Sequence, residues 1–424
     1  MLTGRLLDAI GCTSLTTYTS MPGFYVRFCF TNWWLYQSVS ERKICGLGGN
    51  MPNNKTVVLT LPLTLLASVA NAGGMEKTAL STAFMFEDGN YAEISYQSSD
   101  YDISSSSGGN ASVVGDFKTT GFALKLDVDD RLSFGITKYR QSSIDLDYPN
   151  NWVSSTNVNL GAGNIPVANA LPTANLKVDA IVALLKAQVD ENFSVTGGLK
   201  RSIVQDAKLI IPFKGTNITA AGDSETSIIY GIAYERSEIA LRAELVMEEQ
   251  VGFSLKPTAT STFGGPTTAA TATAASLPNY TTLKIQSGIA PDTLAFFSAR
   301  RADWTSHQVI LSNAAITAPI SSFTDTTSYS LGLGRKLTDS LSASLAYNWE
   351  KGSGSVSESS LSLTNGYRGI SAGLKYTADN VSISGGVNYT KLGDTVVTQS
   401  PVLSNDPFSG NTVTTLGFKV GYSF

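Results

Sequence analysis

Charge is scarce in this chain of 424 residues, histidine nearly so, and cysteine vanishes after the first fifty positions. Charged residues make up only 15%, whereas a soluble domain carries about a quarter. Long apolar runs are missing too, since none reaches the roughly 18 residues that a spanning helix needs. A weakly charged chain without membrane helices keeps one membrane solution. In a closed β-barrel every backbone group pairs between strands and only alternate side chains meet lipid.

The missing residue types also exclude chemistry. His307 is the sole histidine, and Cys12, Cys29 and Cys45 are the only cysteines. A multi-histidine metal site is therefore excluded, and no ordinary zinc site remains beyond residue 45. A thiol-free exported chain avoids stray disulfides in an oxidising compartment, although chance gives such stretches as well. No glycine-rich loop stands between a strand and a helix to cradle phosphate. Ser306 and Asp303 lie near His307, but neighbours on a strand point to opposite faces, so a surface histidine is expected and not an enzyme. Glu248 and Glu249 are expected at a solvated rim. No cofactor is implied.

Residues 51–72 have the order of an export signal. Lys55 is followed by a short apolar core and then by Ala70-Asn71-Ala72, which predicts cleavage before Gly73. Fifty residues precede that signal and hold all the cysteines. Residues 1–50 are accordingly expected to be a misassigned upstream segment, with translation starting at Met51, and mass spectrometry finding Gly73 first would check this. The mature chain would have 352 residues, with 25 basic against 32 acidic. That acidic balance makes a nucleic-acid partner a poor fit.

Period-two alternation dominates the rest. Leu341, Ala343, Leu345, Tyr347 and Trp349 alternate with small or polar residues, as do Leu416, Phe418, Val420, Tyr422 and Phe424. Short polar turns at 127–131, 190–192, 235–238, 290–293, 337–340 and 377–380 interleave with longer connections near 104–116, 147–175, 213–225, 256–277, 308–325, 352–365 and 393–411. Short turns alternating with long loops are the outer-membrane pattern. The expectation is an all-β, antiparallel transmembrane barrel of about 14 strands over residues 90–424, preceded by a short periplasmic or lumenal segment at 73–89. Most charges, including Lys125, Glu244, Glu248, Lys375 and Lys419, fall on the inward phase, where lipid does not penalise them. Strand 176–189 is apolar on both faces (Ile181, Val182, Leu184, Leu185), which fits either a lumen that accepts an acyl chain or a packed one.

Leu277-Pro278-Asn279-Tyr280, with Leu283, Gly288, Asp292, Leu294 and Asp303-Trp304-Thr305 behind it, resembles a segment of the FadL-type long-chain fatty acid outer-membrane transporters. Phe86–Glu93 and the terminal Gly421-Tyr422-Ser423-Phe424 are similar to that family as well. The resemblance implies a passive channel for hydrophobic compounds, long-chain fatty acids first. Its cargo carboxylate would meet Lys200, Arg242, Lys284 or Arg301, and its acyl chain Ile181 and Leu185. Loops 213–225 and 256–277 would form an external groove. Expected partners are outer-membrane lipid and lipopolysaccharide, hydrophobic cargo, and the outer-membrane assembly machinery through the strand ending at Phe424. The family's Asn-Pro-Ala signature and its roughly forty-residue hatch are missing, so the hatch is expected to be short or absent. A structural or adhesive barrel and a general porin for small polar solutes are the alternatives.

Overall fold

The computed structural model describes residues 74–108, 111–148, 157–159, 164–166, 173–211, 216–261, 270–313, 317–354, 356–399 and 403–424. The expectations for residues 1–50 and for the export signal, with Ala70, Ala72 and Gly73, lie outside the described residues.

Fourteen strands form one closed antiparallel ring. They are β1 (Tyr91–Asp102), β2 (Phe117–Asp127), β3 (Leu132–Asp147), β4 (Thr173–Gln188), β5 (Phe193–Val204), β6 (Asp223–Arg236) and β7 (Leu241–Glu248), then β8 (Tyr280–Ala290), β9 (Thr293–Ala302), β10 (Thr326–Lys336), β11 (Leu341–Glu350), β12 (Tyr367–Ala378), β13 (Val381–Leu392) and β14 (Thr412–Ser423). Each pairs with the next, and β14 returns to β1 over twelve residue pairs, from Tyr91↔Ser423 to Asp102↔Thr412. Closure removes the two free edges that an open sheet would present to lipid.

Local chemistry explains the short turns. Asp129 Oδ1 accepts from the Arg131 and Leu132 amides, both at 2.8 Å. Asp190 Oδ1 does the same for Asn192 and Phe193, at 2.8 and 2.9 Å. In the turns after β8 and β12, Asp292 and Asp379 take left-handed backbone, with φ of 58° and 50°, which aspartate tolerates better than most residues. All six expected short turns are present.

Alternation then sorts the two faces. Leu185, Leu199, Leu345, Ile370, Phe418 and Tyr422 point outward and are exposed, making an apolar belt for lipid. Stacked aromatics sit within it, with Tyr422 5.9 Å from Phe424 and Tyr329 5.1 Å from Trp349.

The long connections differ from the expected loops. Residues Ala207–Ile211, Thr216–Ala221, Val251–Ser261, Ala270–Leu277 and Ile310–Asn313 are strands. They pair in succession from the outer end of β4, adding a second tier above the barrel. Among the described residues, the expected external groove at 213–225 and 256–277 is therefore largely sheet. Threonine- and alanine-rich composition reads as loop, yet in this tier those residues are paired in sheet.

Candidate translocation route

The lumen is occupied by the chain itself. Residues 74–90 run inside the barrel, with a single 3-10 turn at Ala83–Phe86. Leu80, Phe84 and Met85 pack on the inward faces of β3, β4 and β6, against Tyr139, Ala180, Val182, Leu184 and Ile229. The approach is so close that a Cβ on Gly135 would strike Met85 and Phe84. The both-faces-apolar strand thus resolves into a lumen face (Val178, Ala180, Val182 and Leu184, at most 1% exposed) and a lipid face (Ile181 and Leu185, 36% and 51% exposed). Ile181 and Leu185 do not line the lumen, contrary to expectation. A period-two pattern with apolar residues on both phases carries no sign of which face is inside.

Lumenal cations hold this segment. Arg300 on β9 grips Glu76 through Nη2 and Nε, at 2.6 and 3.0 Å, and Glu248 on β7 through Nη1 at 2.9 Å. Lys200 on β5 reaches Glu248 at 3.0 Å. All four side chains are under 10% exposed. Below them, Lys284 meets Thr82 Oγ1 at 2.9 Å and Glu244 at 3.4 Å. Lys186 and Lys125 donate to main-chain carbonyls of Met85, Glu87 and Gly89. Phe86 is clamped between Lys186 and Arg242, 4.0 and 4.4 Å from its ring centre, a favourable cation–π arrangement.

The expected carboxylate-facing residues are thereby placed. Lys200 and Lys284 face inward and are paired, and Arg242 faces inward onto Phe86 and Gln286. Arg301 faces outward, 58% exposed, on Asp303 and Asp325; its neighbour Arg300 is the inward arginine. Glu248 is likewise in the lumen and not at a rim. His307 is buried, with Nδ1 3.0 Å from Ser276 Oγ, where a surface histidine was expected. Burial holds its pKa below the ordinary histidine value, and among the described residues no carboxylate hydrogen-bonds its ring.

Two spaces flank the blockade. On the periplasmic side a vestibule of about 610 Å³ is lined by charged side chains, including Lys125, Asp127, Lys186, Glu235 and Arg242. On the outer side a cavity of about 50 Å³ is almost wholly apolar, lined by Leu176, Leu209, Ile218, Leu255, Val309 and Leu361. Between them lies the buried Glu76–Arg300–Glu248–Lys200 layer.

The wall is broken beside that layer. β2 and β3 pair over only six residues, from Asp127↔Ser133 up to Phe122↔Lys138. Just above, Gln141 is an extra residue in β3, since Arg140 faces Asp179 and Ser142 faces Val178. A β-bulge bends its strand and interrupts the ladder. β3 consequently parts from β2 around the bulge, where the N-terminal segment takes the vacated edge, and it pairs again above with the residues leading into β2, at Val114↔Leu146. Lys77 and Thr78 amides donate to the Gln141 carbonyl at 2.8 and 3.2 Å, and the Ser143 amide donates to the Met75 carbonyl at 3.1 Å. The opening holds a cavity of about 80 Å³ that touches Thr78, Gln97, Tyr139 and Lys419 inside, and Tyr96, Phe122 and Lys138 on the outer wall. The Thr78 and Tyr139 hydroxyls there are buried, with no hydrogen-bond partner among the described residues. Glu76, Arg300 and Gln141 were invisible in the sequence reading, because their roles depend on contacts with residues far away in the chain.

A closed fourteen-strand ring with a lipid-facing apolar belt defines the class: an outer-membrane β-barrel. Its particular architecture is the FadL-type barrel. Among solved structures, a Pseudomonas aeruginosa FadL homologue superimposes with a TM-score of 0.63 at 13% identity, over 81% of this chain and 92% of that one. The Ralstonia pickettii toluene transporter TbuX gives 0.58 at 11%, over 86% and 99%. The P. putida toluene transporter TodX gives 0.58 at 12%, over 85% and 99%. No family model and no curated protein matches the sequence.

Proposed function

We propose that this barrel passes hydrophobic compounds by passive diffusion, with long-chain fatty acids as its foremost cargo. The reading rests on one observation: the axial path is filled by a buried charged layer, while the wall beside it is parted at the Gln141 bulge. Apolar cargo gathers in the greasy outer cavity, meets the N-terminal segment, and leaves sideways between β2 and β3. Sideways exit spares an apolar molecule from the charged vestibule, where it would gain nothing from burial. The toluene transporters that share this fold support hydrophobic cargo in general. A general porin fits poorly, because a polar solute needs a wet axial bore. A structural barrel gains some support from the filled lumen, yet it gives no reason for an interrupted wall.

Deleting Gln141 restores a regular β3 and lets its upper half pair with β2. Uptake of labelled oleate and of labelled hexadecane is expected to fall to the level of cells without the protein, while the unheated barrel keeps its gel mobility. Wild-type uptake no faster than in cells without the protein would falsify the transport reading.

A further inference from the structure

On the outer wall beside the opening stands a cation that has no partner among the described residues. Along β3, Thr137 and Tyr139 are buried toward the lumen, and Lys138 between them is exposed toward lipid. Its register places Phe122 on one side and Ile181 on the other. Beyond Phe122 come Ile94 and Val420. These four are apolar, outward and 36–60% exposed. Lys138 lies six residues from the start of β3, which at about 3.3 Å per residue and a 35–45° tilt puts it roughly 15 Å above the periplasmic turn. That height is well inside an apolar band of about 25 Å.

Several other outward charges are settled differently. Arg140 is held by Asp179 at 2.9 Å. Arg201 bonds Thr226 and Ser224, and Arg301 pairs with Asp303 and Asp325. Lys118, Arg368 and Lys391 sit at the extracellular ends of their strands, away from the middle of the belt. Among the described residues no ion pair or hydrogen bond holds the Lys138 ammonium. Inside the same cavity, Lys419 is already neutralised by Glu93 at 3.0 Å. The opening therefore presents one uncommitted positive charge, at its outer lip.

Resting on the transport reading above, we infer that Lys138 receives the carboxylate of a long-chain acid as it passes through the wall, and so selects acids over neutral hydrocarbons of similar length. An ionised carboxylate that leaves water without a partner pays a large desolvation cost. An ammonium at the lip offsets it through a charge-assisted hydrogen bond, which is stronger in a low-dielectric setting. A neutral chain has no such need, so the lysine adds nothing to its passage.

The test compares initial uptake of labelled oleate and labelled hexadecane by cells carrying the wild type, Lys138→Met or Lys138→Arg. Expected for Lys138→Met is an oleate rate reduced about tenfold, a modest loss of one charge-assisted contact, with hexadecane unchanged. Lys138→Arg should keep most of the oleate rate. Gel mobility before heating confirms assembly, and Lys138→Gln carries the same comparison if the methionine variant does not assemble. Oleate uptake that survives in Lys138→Met overturns the inference alone, as does an equal loss of both cargoes in an assembled barrel. A wild type that takes up neither compound removes the transport reading, and this inference with it.

Discussion

The β14–β1 and β2–β3 seams are built to different standards. Where β14 closes on β1, twelve consecutive pairs run without interruption. Two strands further on, β2 and β3 share only six before the Gln141 bulge parts them. Both seams lie in the same membrane and face the same lipid. The difference shows that wall strength here is allotted by position: completion where the barrel must stay shut, and a single inserted residue where it is open. The vacated edge of β3 is not left to lipid, since the segment at 75–78 pairs with it from within.

That contrast can be attacked from several directions. Arg300→Met strikes hardest, because it removes the guanidinium from Glu76 and leaves Glu248 with Lys200 alone, and breaking a buried ion network costs about 3–5 kcal/mol. A lowered urea midpoint and protease cleavage within residues 74–90 would show it, while an unchanged midpoint would mean that the plug is held by packing alone. Next come two opposite substitutions in one register row. Ile94→Lys, between β2 and the closing strand, should cost about 2–4 kcal/mol by placing a cation in the lipid belt. Lys138→Met, at the open seam, should stabilise the barrel by a comparable amount while impairing oleate uptake. A loss of stability in both variants would mean that Lys138 has a structural partner after all. The smallest effect belongs to His307 in the outer tier. Burial depresses its pKa, so below the ordinary histidine value near 6.5 the unfolded chain binds the proton first. Stability of the tier is then expected to decline as the medium acidifies through that region and to be fully present above it. Amide exchange in residues 270–313 at pH 5 against pH 8 measures this, and His307→Gln should flatten the dependence.

Much of this was legible in the residues. Six turns and fourteen strands follow from period-two runs and from Asp- and Thr-capped reversals, which are local signals carried within a dozen residues. What escaped was long-range. Arg300 and Arg301 are adjacent, and β9 carries apolar residues on both phases, so nothing local says which guanidinium turns inward. The same ambiguity exchanged Ile181 and Leu185 for Val182 and Leu184. Glu76 meets Arg300 across 224 positions, and a short segment without strand pattern gave no hint of docking. Gln141 is an ordinary polar residue in a strand, and its role as the inserted one appears only when the partners on β4 are counted. The outer tier was missed for a compositional reason, as runs such as Thr258–Thr260 and Ala270–Ala275 read as linker.

The ion network also has a mechanical meaning. Lys200, Glu248 and Arg300 tie β5, β7 and β9 to one another and, through Glu76, to a strut across the bore. That arc of the cylinder is braced from inside. The arc around β2 and β3 has fewer cross-links, so a load placed on the ring is taken up there first. A bulky passenger would widen the slack side and leave the braced side in shape, as a split collar opens at its slit.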